Sequence, residues 1–374
     1  MISQNICYFD YNATHPPFAD ILSTACIDYS IHYYNPSGAG RFSMQRQGLI
    51  EETRKYFAGL FGKKEEGIVF CSTGTEANLL ILGCLKFSQY NALTVYVSGL
   101  EHSSIYGAFE ILGMDYEMIP LSRRGEIDLD FLDRKMKISP RPVVLIGAAN
   151  ESGIIPDLKS VSVICRREGM PLISDQMQAF GKINIEYPNL DAFSCSGHKI
   201  GAGIGASIAY IPPEWKTGYR IFKGGNQENG FRAGTENSAA IYSFRMASER
   251  QHSMLPGKND RLLAFRERIE NTLSEFGSEI VGSDISRLPG TCFAILKSED
   301  IDFLLIGLEE KGIVISTGSS CKSRSREPAL SLLNMGYSKE EALRAVRISF
   351  GIFNSEDDLE YLLENLRSLL TILV

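Results

Sequence analysis

The sequence predicts an α/β protein with a mostly parallel sheet and a second, smaller α+β domain. Short apolar segments alternate with amphipathic ones through the first two thirds of the chain, a pattern typical of βα units and a parallel sheet. The segment 142–147 is continuously apolar, as in a strand buried on both faces. The length of 374 residues exceeds that of one average domain and suits two.

Apolar periodicity and the turn residues between segments give the elements of the first two thirds of the chain. A short strand is predicted to start at residue 7 and to end before the prolines at 16–17. Further strands are predicted near 66–71, 94–98, 116–119, 142–147, 170–174, 191–195 and 206–211. Helices are predicted over 18–32, 43–62, 79–87, 128–137, 157–168 and 236–251, and a further helix opens after 99–104.

The last third of the chain has a mixed order of elements around a polar loop at 317–328. Its predicted helices and strands cover 260–276, 279–281, 291–296, 300–311, 313–316, 339–344, 346–350 and 355–372. The segment 256–260 reads Pro-Gly-Lys-Asn-Asp, which has the composition of a surface turn. We therefore place the domain boundary there, with a large domain over 14–256 and a small domain that combines 1–13 with 257–374.

The bulk composition excludes several classes of protein. The net charge is −7, without the broad basic face that direct nucleic-acid binding needs. No apolar run is long enough to span a membrane, and the N-terminal residues show no secretory signal. The eight cysteines form no CxxC pair and match no zinc spacing. We expect a cytoplasmic protein with reduced thiols and no metal site.

Polar and reactive residues follow the predicted strands one after another. Because the carboxyl ends of parallel strands lie along one edge of an open sheet, we expect these residues to meet in one cleft. They are Thr73, Gly74, Thr75, His102, Asn150, Asp175, Gln178, His198 and Lys199.

The residues of this cleft match the needs of a pyridine cofactor that carries an aldehyde and a phosphate. Lys199 stands among small and apolar residues, and a poorly solvated lysine has a lowered pKa and can form a Schiff base. Asp175 suits the ring nitrogen and His102 the face of the ring. The segment 73–75 lies between a strand and a helix, where backbone N–H groups bind phosphate.

Cys321 differs from the other cysteines because its neighbours are small, polar and basic. The cations of Lys322, Arg324 and Arg326 favour the thiolate, which is the nucleophilic form of the side chain. The small residues at 318–320 give this segment freedom to swing. Cys321 is therefore a candidate nucleophile.

Together these motifs resemble the NifS/IscS-type cysteine desulfurases, which belong to the class-V aminotransferase-like, fold-type I group of pyridoxal-phosphate (PLP) enzymes. The resemblance extends over nearly the whole chain. It rests on the segments 9–14, 35–37, 72–76, 101–102, 150–151, 175–178, 196–199, 227–237, 316–321 and 347–351.

The resemblance implies a seven-stranded sheet between helices in the large domain, PLP as cofactor, and a homodimer. Lys199 would be the Schiff-base lysine, Arg347 the ligand of the substrate carboxylate, and Cys321 the nucleophile. His102 would stack on the ring and handle protons, and Asn150 would flank both ring and substrate. The implied cofactor-binding residues are Thr73, Gly74, Thr75, His102, Asn150, Asp175, Gln178, Ser196, His198, Lys199 and, reaching across from the partner subunit, Thr235.

The implied reaction converts L-cysteine to L-alanine and leaves the sulfur on Cys321 as a persulfide. A protein acceptor or scaffold would then take the sulfur for iron–sulfur assembly, tRNA thiolation or DNA phosphorothioation. Neither a membrane nor direct contact with nucleic acid is implied.

Three departures from the family pattern stand out. His15 replaces a usual threonine, Gly40 replaces a common histidine, and the glycine-rich segment after Lys199 is about two residues short. The alternatives are a selenocysteine lyase or another PLP-dependent lyase or aminotransferase. Alternatives of other classes are a non-catalytic scaffold and a nicotinamide-dependent dehydrogenase, although the glycine run 201–205 lacks the GxGxxG spacing.

Overall fold

The computed structural model describes residues 6–215, 217–317 and 327–373. The strands of the first two thirds of the chain are β1 (Cys7–Tyr8), β2 (Ile68–Cys71), β3 (Thr94–Ser98), β4 (Asp115–Ile119), β5 (Val143–Val144), β6 (Leu172–Asp175), β7 (Ala192–Ser196) and β8 (Ser207–Tyr210). The helices are α1 (Ala19–Ile31), α2 (Arg41–Phe61), α3 (Gly74–Lys86), α4 (Ser103–Leu112), α5 (Leu129–Ile138), α6 (Leu158–Arg167) and α7 (Ser238–Glu275).

Seven of these strands form one mixed, mostly parallel sheet, as the sequence predicts. Their order is β2-β8-β7-β6-β5-β3-β4. The pairs among β3 to β7 are parallel, whereas β8 runs antiparallel to both of its neighbours. The carboxyl ends of the parallel strands therefore share one edge, where polar residues from distant parts of the chain can meet.

The sheet lies between two hydrophobic clusters, because its side chains alternate between the two faces. One face contributes side chains such as Phe70 and Phe193 to a cluster with α2 and the first part of α7. The other face contributes Val69 and Val97 to a cluster with α3 and α4. This packing on both sides fixes the strand ends at which the site is built.

The last third of the chain forms a second sheet. Its elements are β9 (Glu279–Ile280), β10 (Thr291–Ile295), α8 (Ile301–Glu310), β11 (Ile313–Val314), β12 (Ser316–Thr317), α9 (Leu330–Asn334), α10 (Lys339–Leu343), β13 (Ala345–Ser349) and α11 (Glu356–Leu373). The sheet has the order β12-β13-β10-β9 and is antiparallel. Its cluster includes Cys7 and Phe9 from the start of the chain, together with Phe265 of α7.

The structure differs from the sequence-based expectation at four elements. The strand predicted at 142–147 is shorter, the helix predicted at 79–87 begins at Gly74, and α9 was not predicted. The break predicted at 256–260 lies inside α7, which is assigned as one helix of 38 residues, with Gly257 at a positive φ of 83°. The domain boundary predicted there therefore falls within a helix, and the division into 14–256, 1–13 and 257–374 stays a prediction.

The long helices pack through one face and expose charged side chains on the other. On α7, for example, Arg245 and Glu249 form an ion pair one turn apart. Within the described ranges, no helix combines the length and the apolar character that crossing a bilayer requires.

Candidate active site

A cavity of about 360 Å³ opens at the carboxyl edge of the large sheet. Most of the residues that the sequence predicts for a site line it together. They are Thr73, Gly74, Thr75, His102, Asn150, Asp175, Gln178, His198, Lys199 and Arg347.

The N-terminus of α3 forms one wall of the cavity. Thr73 caps the helix, and its Oγ1 accepts a hydrogen bond of 3.1 Å from the N–H of Glu76. A Cβ at Gly74 would lie 2.6 Å from the Cε of Met177, so a larger residue there would require the end of the Met177 side chain to move. The backbone N–H groups of Gly74 and Thr75, which precede Glu76 in the first turn, have no partner within the helix. Together with the Thr75 hydroxyl, they suit a phosphate.

Asp175 ends β6 and is 3% exposed. Its Oδ1 accepts a bond of 2.9 Å from the N–H of Met177, and its Oδ2 accepts one of 2.9 Å from Nδ2 of Asn78. Asn78 also donates to Ser104 and accepts a bond from Ser194. The carboxylate is thus held from two sides, by its own strand end and by the buried face of α3.

Asn78 is a site residue that sequence reasoning missed, and its loss should loosen this arrangement. We expect Asn78→Ala to lower the free energy of unfolding by about 2 kcal/mol, because it leaves buried polar groups on Ser194 and Asp175 without a partner. Urea unfolding measures the change. Asn365→Ala is the matched control, since Asn365 bonds only to a carbonyl within α11. Equal, small effects for both variants would contradict the role given to Asn78.

Lys199 follows β7, in the loop that leads to β8. Its Nζ donates to the backbone carbonyls of Asn12 and Ala13 at 2.6 and 2.8 Å. Burial lowers the pKa of Lys199 to about 8, helped by the positive charge of Arg347 and opposed by Asp175 and Asp10. At pH 7 about a tenth of these amines would be uncharged, against well under a hundredth for an ordinary lysine.

The lowered pKa of Lys199 sets the pH at which the amine can react with an aldehyde. In cofactor-free protein, we expect the rate of pyridoxal-phosphate capture to rise with pH around a midpoint of about 8. Stopped-flow absorbance measures that rate. Arg347→Leu should move the midpoint upwards, because it removes a repelling charge and frees Asp10. A midpoint above pH 10 in the unaltered protein would contradict the prediction.

Two histidines face the cavity in neutral form. His102 caps α4, and its Nδ1 accepts a bond of 3.2 Å from the N–H of Ser104. Burial is the largest influence on its pKa and lowers it. Burial, with the charges of Lys199 and Lys182, lowers the pKa of His198 to about 4. Uncharged imidazole rings can stack on a cofactor or exchange protons near neutral pH.

Arg347 lies on β13 of the second sheet and reaches into the same cavity. Its Nη2 donates to Oδ1 of Asp10 at 2.6 Å, and its Nη1 donates to the carbonyl of Asn150 at 3.0 Å. A guanidinium has five N–H donors, so three remain after these two bonds. The remaining donors suit a carboxylate, which arginine binds through two parallel hydrogen bonds.

A hydrogen-bond network around Asn12 joins Lys199 to Gln178. The carbonyl of Asn12 accepts from Lys199 and, at 2.7 Å, from Nε2 of Gln178. The Oε1 of Gln178 accepts a bond of 2.6 Å from Lys182, which also donates to Oδ1 of Asn12. Asn12 lies within a segment that carries the family resemblance, but nothing in the sequence placed Lys182 here.

The segment after Lys199 is the loop of a β-hairpin. β7 and β8 are antiparallel neighbours, with Ser196 opposite Ser207 and a bond of 3.0 Å from the N–H of Gly197 to the carbonyl of Ala206. Between them the chain turns through Gly201, Gly203 and Gly205, all with positive φ. That backbone conformation favours glycine, which explains the glycine-rich sequence.

Comparison with known proteins identifies the family. The sequence profile described as aminotransferase class V matches residues 7–362. The chain belongs to the class-V aminotransferase family.

Curated proteins similar to this chain include cysteine desulfurases. It is 31% identical over 370 residues to cysteine desulfurase IscS of Rickettsia massiliae, covering 95% of this chain and 88% of that protein. It is 30% identical to cysteine desulfurase IscS 1 of Archaeoglobus fulgidus, covering 96% and 95%. The structure of a NifS-like protein from Rickettsia africae superposes with a TM-score of 0.87 at 29% identity, covering 98% and 99%.

Pyridoxal 5′-phosphate is the cofactor of class-V aminotransferases, and the residues of the cavity fit it. The buried carboxylate of Asp175 matches a protonated ring nitrogen, and the amine of Lys199 matches the aldehyde. The first turn of α3, with the hydroxyls of Thr73 and Thr75, matches the phosphate. One cavity therefore supplies the donors and acceptors that each end of this cofactor needs.

Two predicted site residues, Ser196 and Thr235, are not among the described residues that line the cavity. Ser196 is buried, and its Oγ accepts a bond of 2.8 Å from Ser207. Thr235 is exposed, in the segment before α7. Cys321 lies outside the described residues, as do Lys322, Arg324 and Arg326. The roles predicted for all three site residues stay predictions.

Proposed function

We infer that the chain is a PLP-dependent cysteine desulfurase, which converts L-cysteine to L-alanine and carries the sulfur on Cys321 as a persulfide. The observation that supports this most is the convergence of Lys199, Asp175 and Arg347 on one cavity, in a chain whose relatives bear that name. When bound, the cofactor supplies an electron sink for charge that develops at the substrate Cα.

The residues of the chain bind and orient the substrate around that sink. Arg347 holds the substrate carboxylate with the donors that Asp10 and Asn150 leave free. The Nζ of Lys199 takes the proton from the substrate Cα, since its lowered pKa keeps part of it uncharged. His102, whose Nδ1 is fixed by Ser104, retains Nε2 to move a proton.

The sulfur step needs a nucleophile, and we assign it to Cys321. Its thiolate forms an S–S bond to the substrate sulfur while the C–S bond of the substrate breaks. The electron pair of that bond goes to the carbon framework, where protonation completes alanine. The transferred sulfur is then the outer atom of a persulfide on Cys321. Forming this persulfide from the thiolate and L-cysteine needs no further oxidant.

We also propose a cytoplasmic homodimer in which Thr235 of the partner subunit completes the phosphate site. Thr235 is exposed and is not among the residues that line the cavity of its own chain, which a partner contact explains. The stacked and partly exposed rings of Tyr33, Tyr34 and Phe42 offer apolar area for such a contact. Light scattering of the purified protein tests it, and a monomeric mass would count against it.

The sulfur acceptor is proposed to be a protein. Iron–sulfur assembly, tRNA thiolation and DNA phosphorothioation are the pathways to compare. The short loop after Lys199 favours a specialised pathway, such as DNA phosphorothioation, over a general one. Co-purification from the native host identifies the acceptor.

The test of the activity is a product assay with the full-length protein and PLP. With L-cysteine we expect alanine, and a gain of one sulfur atom in the peptide that carries Cys321. Cys26, an exposed cysteine of α1, serves as the internal control and should stay unmodified. Alanine without the modified Cys321 peptide would refute the assigned nucleophile. Faster turnover of selenocysteine or cysteine sulfinate than of cysteine would refute the assignment of L-cysteine as the substrate.

A further inference from the structure

A second cavity lies behind the Lys199 side of the active site, between α7 and the second sheet. It offers about 30 Å³ to water-sized species, which is room for roughly two waters or one halide ion. Lys182 and Lys258 both line it, as does His15. Among the described residues that line this cavity, no side chain is acidic.

In its protonated form, each lysine keeps one N–H donor that the described protein groups do not use. Lys182 donates to Oε1 of Gln178 and Oδ1 of Asn12. Lys258 donates to the carbonyl of Gly181 and, at 2.9 Å, to Oε1 of Gln251. An ammonium group has three donors, so one remains on each lysine after these bonds.

The histidine in this cavity does not supply the missing negative charge. The Nδ1 of His15 lies 2.6 Å from the carbonyl of Pro16, so Nδ1 carries the proton. Its Nε2 then accepts from Nε2 of Gln251 at 3.1 Å. Gln251 presents its Oε1 to Lys258 in turn. The ring is therefore neutral, and burial lowers its pKa to about 4.

Two lysines that share a cavity without an acid are electrostatically unfavourable. Burial and the charges of Lys199, Lys258 and Arg347 lower the pKa of Lys182 well below its usual value. Burial lowers the pKa of Lys258 to about 8. A negative charge between the two groups would relieve this repulsion and satisfy both remaining donors.

We propose that this cavity is an anion site, in which the Nζ groups of Lys182 and Lys258 bind one small monovalent inorganic anion of halide size. The volume of about 30 Å³ suits an ion of that size. The lysines provide charge and two N–H donors, while the neutral His15 and Gln251 hold Lys258 in place. This inference does not depend on the desulfurase activity, because it uses only the charge and shape of the cavity.

Bound anion would act on the active site through Lys182. An anion favours the protonated form of Lys182, which keeps its bond to Oε1 of Gln178. That bond fixes the Gln178 amide with Nε2 as the donor on the side of the Asn12 carbonyl. The anion would thus help to orient a residue of the cofactor cavity.

Crystals of the holoenzyme grown in sodium bromide provide the direct test. We expect an anomalous difference peak within about 3.5 Å of the Nζ atoms of both Lys182 and Lys258. The absence of a peak in that cavity would overturn the proposal, whether or not bromide binds elsewhere in the crystal.

Thermal unfolding of the holoenzyme provides a second test in solution. Exchange of sodium gluconate for sodium bromide at constant ionic strength should raise the unfolding midpoint by about 2 °C once bromide exceeds its Kd tenfold. Lys258→Gln should abolish that rise. The control Lys63→Met removes another half-buried lysine that donates to a carbonyl and should retain it. Equal bromide effects in Lys258→Gln and wild type would contradict the site.

Discussion

Lys199→Ala should lower kcat/KM for L-cysteine by at least about 10⁴-fold, since we propose that the residue supplies both the covalent link to the cofactor and a base. Lys199 is the only lysine among the described residues that line the cavity, so no neighbouring amine is placed to replace it. Steady-state kinetics with added PLP measures the loss.

The covalent part of this role has its own readout. Wild-type protein with PLP should show a visible absorption band that borohydride bleaches. The reduced cofactor should then remain covalently attached, as a label, to the peptide that contains Lys199. The variant Lys199→Arg is the matched control, since it keeps the positive charge beside Asn12 and Ala13 but cannot form the link. Label on Lys182 in wild type, or full activity in Lys199→Arg, would show that the lysine is wrongly assigned.

Asp175→Asn should lower kcat/KM by at least about 10³-fold, because a neutral amide does not stabilise a protonated ring nitrogen. The substitution also has a structural cost. In the wild type, Oδ1 accepts from the N–H of Met177 and Oδ2 accepts from Asn78. The new amide would place an NH₂ group against the NH₂ group of Asn78, leaving a buried donor without an acceptor at a cost of about 1–3 kcal/mol.

The double variant Asp175→Asn with Asn78→Asp separates the two effects. It restores a donor and an acceptor between the two positions. We therefore expect the double variant to regain a large part of the lost free energy of unfolding, as measured by urea unfolding. The carboxylate now stands on α3 instead of at the end of β6, so kcat/KM should stay low. Recovery of activity together with stability would show that the charge at position 175 is dispensable.

The sequence predicts where the site lies better than it predicts the buried side chains that hold the site residues in place. Parallel strands bring their carboxyl ends to one edge, and this rule alone placed Asp175, His102 and Lys199 in one cavity. Asn78 gave no such signal, because it lies in the middle of an apolar helix face and its partners are 26 to 116 residues away. Lys182 is hidden in a similar way, because one of its two bonds is to Asn12, which is 170 residues away in the sequence.

The chain around 256–260 shows where local signals fail. Proline and glycine in sequence predict a break, yet α7 continues. It packs through Phe244 into a cluster of the large sheet and through Phe265 into the cluster of the second sheet. Lys258 adds bonds to Gly181 and Gln251 at this point. Tertiary contacts therefore outweigh the local preference, and the positive φ of Gly257 is what remains of the predicted turn.

Because of the hairpin after Lys199, the position of the lysine does not depend on the length of the loop that follows it. The base of the hairpin, where Ser196 pairs with Ser207 and Gly197 with Ala206, closes the ladder immediately before the lysine. Insertions or deletions beyond this base change only the length of the loop tip, where Ile204 is 84% exposed. A family member can thus gain or lose loop residues during evolution without shifting the lysine at this position, and loops grafted from relatives offer a direct way to vary the tip alone.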